Sequence, residues 1–336
     1  MRTYDNFTDA YLDILKDVYE NPEYSSSPRG LGIKESIAYQ FKITNPRNRI
    51  PYVKERDFSI HYMIAELLWY FSANDSTSWI SNYSTFWSKI SDDGKTANSA
   101  YGARIFRPHD RIAGDVSEDW SQWKYVVDEL KKDPDSRRAI IHIRSPKDSI
   151  YANLDVPCTL SLQFFLRKDK VHMVTTMRSS DLILGLAYDV PAFTLFQELL
   201  AIQLTKELGR PIGLGDYIHT SGSLHIYERH FGMVEKIIDD SWKFRHELPE
   251  EMPELPSEVP TVGLSIVETN FRKAKTNKQL LIALGNTAKH FEANDPYWND
   301  WCKILASHRA IKLNDKNLSN LILEGTLFKG YHYFKK

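Results

Sequence analysis

Cysteine is nearly absent: Cys158 and Cys302 are the only two in 336 residues. Two thiols build neither a disulfide framework nor a cysteine-rich metal site, so each is core filling or chemistry. An excess of either charge is absent as well. The 43 Lys and Arg set against 44 Asp and Glu leave a net charge of -1. That balance exerts no whole-molecule pull toward nucleic acid or anionic membrane, so neither is an expected partner and any anion site must be local. No apolar run reaches the roughly 18 residues of a membrane span. The N-terminus, MRTYDNFTDAYLDILKD, lacks the basic-then-apolar order of a signal segment. A soluble, cytoplasmic protein is expected. Internal repeats are also missing. What remains is ordinary globular composition, 42% hydrophobic and 26% charged, sufficient for one large core or two smaller ones.

TDAYLDILKDVYE reads as a helix with a Thr/Asp cap, and IAYQFKIT as a strand after the Ser/Pro/Gly loop that holds Arg29. FSIHYMIAELLWYFSA is a strongly apolar helix with Glu66 in its middle. Around Tyr101 to Phe106 the pattern suggests a turn and a short extended piece. SEDWSQWKYVVDELKKDPDS predicts an amphipathic helix stopped by Pro134. RRAIIHIR, TLSLQFFLRKD and KVHMVTTMRSS read as strands, the last two a hairpin joined at Lys168 to Lys170. PAFTLFQELLAIQLTKELG is a long helix with Pro191 near its start and Gly209 past its end. GDYIHTSGSLHIYERHFGMVEKIIDD predicts a strand, a turn at Gly222 and a helix. HELPEEMPELPSEVP is a Pro/Glu-rich linker. The expected division is therefore residues 1–245 as the main domain, 246–262 as linker and 263–336 as a helical C-terminal extension.

Four kinds of group carry possible chemistry. Cys158, at the mouth of a strand in DVPCTLSLQFF, is either an inert small hydrophobe or a nucleophile whose thiol nearby arginines activate. Glu66, flanked by apolar residues, is either a proton carrier with a raised pKa or a member of a helix's exposed stripe. Arg29, Arg137, Arg138 and Arg178 sit at loop or strand ends, with Ser179 adjacent to the last. They are solvated charges or, if they converge, a phosphate site. Asp189, before Pro191, is a helix N-cap or a carboxylate aimed at a ligand. His219, His225 and His230 have the wrong spacing for a helical metal pair, so no metal is expected. A Cys-His hydrolase built on Cys158 stays open as a weak alternative.

Taken in order, DPDSRR, VPCTLSLQFF, MRSSDLILGLAYD, GSLHIY and AELLWYF resemble the motifs of the thymidylate synthase family, across about Arg29 to His230. The resemblance implies an α/β (α+β) fold: a mixed sheet with flanking helices, packed back to back in a homodimer with shared active sites. It implies Cys158 as the thiolate adding to C6 of a pyrimidine, and Glu66 as a proton carrier through water. Arg29, Arg178 and Ser179 would bind the 5′-phosphate of a nucleoside monophosphate, Arg137 and Arg138 entering from a second subunit. His225 and Tyr227 would bind the sugar, and Gln163 and Gly185 would line the nucleotide site. Tyr101 matches the family's active-site tyrosine. Asp181, Trp87 and Arg56 would face the co-substrate, 5,10-methylenetetrahydrofolate.

The departures from the pattern are informative. The family's synthases carry Asn where this chain has Asp189. An amide complements uracil; a carboxylate accepts from the 4-amino group of cytosine and stabilises a proton at N3. Asp here resembles the deoxycytidylate hydroxymethylase branch. Thr159 follows the Pro-Cys pair in place of His, and Ser223 stands where the family has Asp. The short apolar tail that closes over the folate is replaced by the extension ending FKGYHYFKK. A site less able to exclude water would let water add to the exocyclic methylene, giving a hydroxymethyl product. The expectation is a dCMP or CMP 5-hydroxymethyltransferase, of phage DNA modification in a host cytoplasm or of antibiotic biosynthesis. The rivals are a thymidylate synthase, a dUMP hydroxymethylase, a dCMP methyltransferase and a non-catalytic nucleotide- or RNA-binding homologue.

Overall fold

A computed structural model describes residues 1–107, 120–150, 153–246, 251–256, 258–289 and 295–335. The chain divides into two compact units, each discontinuous in sequence. One is Met1–Phe58 with Arg104–Leu248; the other is Ser59–Ala103 with Pro249–Lys336. The partition expected from sequence was linear, whereas here the segment holding Glu66 clusters with the C-terminal helices. Parts of the expected linker, 247–250 and 257, lie outside the described residues, as does the start of the helix expected from Ser117.

The first unit is built on a seven-stranded mixed sheet. Its strands are β1 (Arg2–Tyr4), β2 (Tyr24–Ser26), β3 (Ile33–Ile43), β4 (Ile140–His142), β5 (Thr159–Arg167), β6 (Lys170–Asp181) and β7 (Gly213–Tyr227). Their order is β1-β3-β7-β6-β5-β4, with β2 pairing on β3. β5 and β6 form the expected antiparallel hairpin. β6 and β7 run parallel, and β3 returns antiparallel to β7. Alternation decides the faces: Val171, Met173, Thr175 and Met177 of β6 are buried, while His172, Val174 and Thr176 between them are half-exposed.

Helix α1 (Phe7–Glu20) is capped by Asn6, whose side chain accepts from the Asp9 N–H, rather than by Thr8 or Asp9. The long apolar helix, Leu186–Leu208, begins five residues before the expected Pro191 and is buried along most of its length. Gly222 is no turn. It lies inside β7, where a Cβ would stand 2.8 Å from the Arg178 carbonyl oxygen, so only glycine lets the backbones approach so closely. Arg49 and Glu198 form a buried ion pair at 2.5 Å, with Arg49 Nη1 lacking a hydrogen-bond partner. Removing the carboxylate strands a buried cation, so Glu198→Ala should cost about 3–5 kcal/mol of unfolding free energy in urea titration. A loss below about 1 kcal/mol would instead mark the pair as weak, like an exposed one.

The second unit is helical. Its longer members are Ile60–Phe71, Thr261–Lys273, Asn277–Gly285, Pro296–Lys312 and Lys316–Glu324. Tyr101–Phe106, expected to be extended, forms a short helix. Its Gly102 abuts Tyr70: a Cβ there would stand 2.0 Å from the Tyr70 carbonyl oxygen. Cys302 is fully buried and its thiol is pushed up to about 12 by desolvation, the behaviour of core filling. Among the described residues no helix is long and apolar enough to cross a membrane.

Candidate active site

The sheet's register gathers the first unit's candidates at one end of four adjacent strands. Cys158 precedes β5, and the Arg178 N–H of β6 donates to its carbonyl at 2.9 Å. Ser179 pairs with Ser223, and Asp181 with His225, across β6 and β7. His225 and Tyr227 in turn pair with Glu35 and Ile33 of β3. Arg29 lies in the turn just before β3, in left-handed backbone with φ of 56°.

Cys158 is half-buried and free. The Arg178 guanidinium donates to the Val156 and Pro157 carbonyls, at 2.9 and 3.0 Å, and reaches to 3.6 Å from Cys158 Sγ. Burial pushes the thiol above its ordinary range while Arg178 pulls it down. Burial wins, contrary to the activation expected from arginines alone. Among the described residues no histidine hydrogen-bonds Sγ, so a Cys-His hydrolase lacks its base.

Asp189 does not cap the helix. The N-cap is Gly185, without a side-chain bond, and Asp189 points from the first turn. Gly185 makes room for it: a Cβ there would stand 3.2 Å from Asp189 Oδ2 and 3.3 Å from the Asp181 carbonyl oxygen. No hydrogen bond reaches the Asp189 carboxyl among the described residues. Desolvation, helped by the Asp181 charge, pushes its pKa up to about 7; its own charge acts on Cys158 and Tyr217. An unfolded aspartate titrates near ~4, so between ~4 and ~7 the folded state holds more protons than the unfolded state. Stability therefore falls as pH rises through that window and is level above it. Urea unfolding should show Asp189→Asn equal to wild type below pH ~4 and increasingly more stable toward pH ~7. A difference constant with pH would contradict the raised carboxyl.

Asp181 Oδ1 accepts from the Ile183 and Leu184 N–H groups, at 2.8 and 3.1 Å. Arg56 is buried, donates to the Ile183 carbonyl and lies over the Tyr188 ring, so it braces that same turn. Gln163 donates to the Arg137 carbonyl at 3.0 Å. The side chains of Arg29, Arg137 and Arg138 are exposed and make no ion pair or hydrogen bond among the described residues. His225 is buried with its ring edge-on to Tyr227. Glu35, which the sequence did not flag, accepts from Ser26 at 2.7 Å and Ser223 at 2.6 Å and lies close enough to His225 to feel its charge. Only strand pairing reveals it. His219 is a core residue, held between Tyr217 and Ser180 and neutral, its pKa pulled down by burial to about 3. Among the described residues no cluster of His, Cys, Asp and Glu could hold a metal.

Within the second unit, Glu66 is 6% exposed, which removes the exposed-stripe reading. It does have polar company. The Tyr62 hydroxyl donates to Glu66 Oε1 at 2.5 Å and accepts from Trp87 Nε1 at 2.9 Å, giving a Trp–Tyr–Glu chain. Tyr62 sits at i−4 from Glu66, a spacing the sequence offered. Tyr101 is buried and stacks on Tyr70.

In the first unit, a thiol and an arginine on it stand at the strand ends, and a carboxyl poised near neutrality stands in the first turn of the Leu186–Leu208 helix. Such a set suits nucleophilic attack by the thiol, with a carboxyl able to give or take a proton near neutral pH. Residues 9–255 match the thymidylate synthase family profile, a span that runs through both units. A deoxyuridylate hydroxymethyltransferase of Bacillus phage SP01 is 30% identical over 240 residues, which cover 70% of this chain and 60% of that protein. This chain thus spans about 60% of that relative's length, less than two thirds of it.

Proposed function

The chain belongs to the thymidylate synthase family, and from that premise we propose that it is a folate-dependent C5-hydroxymethyltransferase acting on a cytidylate, dCMP or CMP. Asp189 carries the reading. Cys158 adds to C6 of the ring, and the electron pair moves toward C5 and the position-4 substituent. In uracil that charge builds on O4, which an ionised Asp189 repels. In cytosine it is met by a proton at N3 that the same carboxylate stabilises. C5 then takes a one-carbon unit, water supplies the hydroxyl oxygen, the C5 proton leaves, and the Cys158–C6 bond breaks to restore the ring double bond and return the thiolate. No hydride is needed, which separates this outcome from methylation.

Methylenetetrahydrofolate, when bound, supplies that carbon at the formaldehyde level. Asp181 fits a pterin: Oδ2 is left without a partner among the described residues, and the adjacent Leu184 is exposed. Arg178, Arg29 and Ser179 bind the 5′-phosphate in this reading, His225 and Tyr227 the sugar, and Glu66 moves protons. The named relative supports hydroxymethyl as the product. A cytoplasmic enzyme follows from the same reading.

A second reading, dUMP as substrate, has its own support besides that relative. With a pKa of about 7, the Asp189 carboxyl is partly neutral near pH 7, and the acid form donates to O4 as an amide does. Tritium release from C5-labelled dCMP, CMP and dUMP, with product mass, decides between them. Release from a cytidylate with a gain of one CH2O supports the proposal. Release from dUMP alone sinks it, and a gain of one CH2 sinks the water step.

We further propose a homodimer with shared sites. Phe165, Val174 and Ile218 lie half-exposed on one sheet face, and Arg137 and Arg138 point to no acid of their own chain among the described residues. Mixing two inactive proteins, Cys158→Ser and Arg138→Ala, should then restore activity toward a quarter of wild type, since one site in four regains a full set. No recovery on mixing would refute sharing.

A further inference from the structure

The second unit contains a cavity of about 230 Å³ that plays no part in the chemistry above. It is lined by Tyr83, Glu268, Arg272, His308, Arg309 and Lys312, among others. The one carboxylate among its described lining residues is already spoken for. Glu268 is fully buried and accepts from Trp79 Nε1 at 2.6 Å, the Tyr83 hydroxyl at 3.1 Å and Arg272 Nε at 3.2 Å. The charge of Arg272 is thereby neutralised inside the protein.

Arg309 and Lys312 are different. Arg309 donates Nε and Nη2 to the Ala274 carbonyl, at 2.8 and 2.5 Å. It makes no ion pair among the described residues. Lys312 is exposed and has neither ion pair nor hydrogen bond among them. Cations in a last helical turn are commonplace, and both residues occupy that turn of the Pro296–Lys312 helix. Helix ends do not explain why the two charges border a cavity whose only acid among the described residues is saturated. The wall also carries a ring pair, Tyr83 stacked on His308 at 4.5 Å and 27°. Burial and the Glu268 charge hold the Tyr83 hydroxyl protonated, so it adds no negative charge.

We propose that this cavity binds a small phosphate-bearing anion, with Arg309 and Lys312 holding the phosphate. Two unmatched cations suit a dianion better than a monocarboxylate. A guanidinium with free N–H groups and a mobile ammonium are the usual phosphate donors. The volume and the ring wall leave room for a group attached to that phosphate.

The test is site-resolved, so phosphate bound in the first unit does not register. The full chain is acylated at lysine with and without inorganic phosphate, dCMP or acetate at matched ionic strength, and each lysine is read by mass spectrometry. Phosphate should slow acylation of Lys312 several-fold and leave exposed Lys278 and Lys316 unchanged. The protection should disappear in Arg309→Gln. Stronger protection by dCMP than by inorganic phosphate assigns the site to a phosphorylated metabolite; equal protection assigns it to free phosphate. Because Arg309 also anchors Ala274, Lys312→Glu, a surface change, gives a second arm. Calorimetry should then lose one phosphate-binding event. Absence of Lys312-specific protection, equal protection by acetate, or an unchanged calorimetric stoichiometry overturns the site.

Discussion

Asp189→Asn should move base preference from cytidylate toward uridylate by roughly 10²–10³-fold in the ratio of kcat/KM values. That size corresponds to about 3–4 kcal/mol, the combined effect of a lost charge-assisted contact and a relieved repulsion. The cause is local. The wild-type carboxyl has no hydrogen bond among the described residues to commit it and sits at a pKa of about 7. In the proposed pose its ionised form would oppose charge on uracil O4, and an amide in the same space would donate there. Competition between dCMP and dUMP, with both products quantified, measures the ratio directly. The same chemistry gives a pH signature in the wild type: the dUMP share should grow as pH falls below about 7, where the acid form dominates. A variant whose preference matches the wild type would mean that the base never meets Asp189.

Cys158→Ser should abolish turnover, lowering kcat on the order of 10⁴-fold or more, as removal of a covalent nucleophile does. Nucleotide binding should survive, because the residues proposed to hold phosphate and sugar, Arg29, Arg178, His225 and Tyr227, are untouched. Isothermal calorimetry and the tritium assay together separate the cases. Retained binding without turnover identifies the nucleophile; retained turnover removes it. A wild type that binds but never releases tritium is a nucleotide-binding homologue. Arg178→Ala gives a graded companion. It withdraws a charge that lowers the thiol pKa, so the thiolate limb of the pH–rate profile should move to higher pH.

Much of this protein was legible in local pattern. The hairpin of β5 and β6 follows from alternating strands around a charged turn. The apolar Ile60–Phe71 helix, the long helix ending at Gly209 and the helical C-terminus follow from periodicity and end signals. Illegible were features that depend on what lies opposite. Gly222 reads as a turn until β6 supplies the carbonyl that demands a glycine. Tyr101–Phe106 reads as extended until Tyr70 backs Gly102. Glu35 is an ordinary strand residue until β3 pairs with β7.

The chemistry divides the same way. By itself the sequence determined the inventory: one thiol at a strand mouth, arginines at loop ends, an acid two residues before Pro191. The class of fold was implied by the resemblance of its ordered motifs to the thymidylate synthase family, while periodicity and end signals marked the individual elements because they act over neighbouring residues. Only the tertiary structure decided the state of those groups. Burial outweighs Arg178 at Cys158, desolvation holds Asp189 near neutrality, and Tyr62 joins Glu66 to Trp87. Protonation depends on solvent exclusion and on charges brought together from distant segments. Neither is a property of the order of residues along the chain.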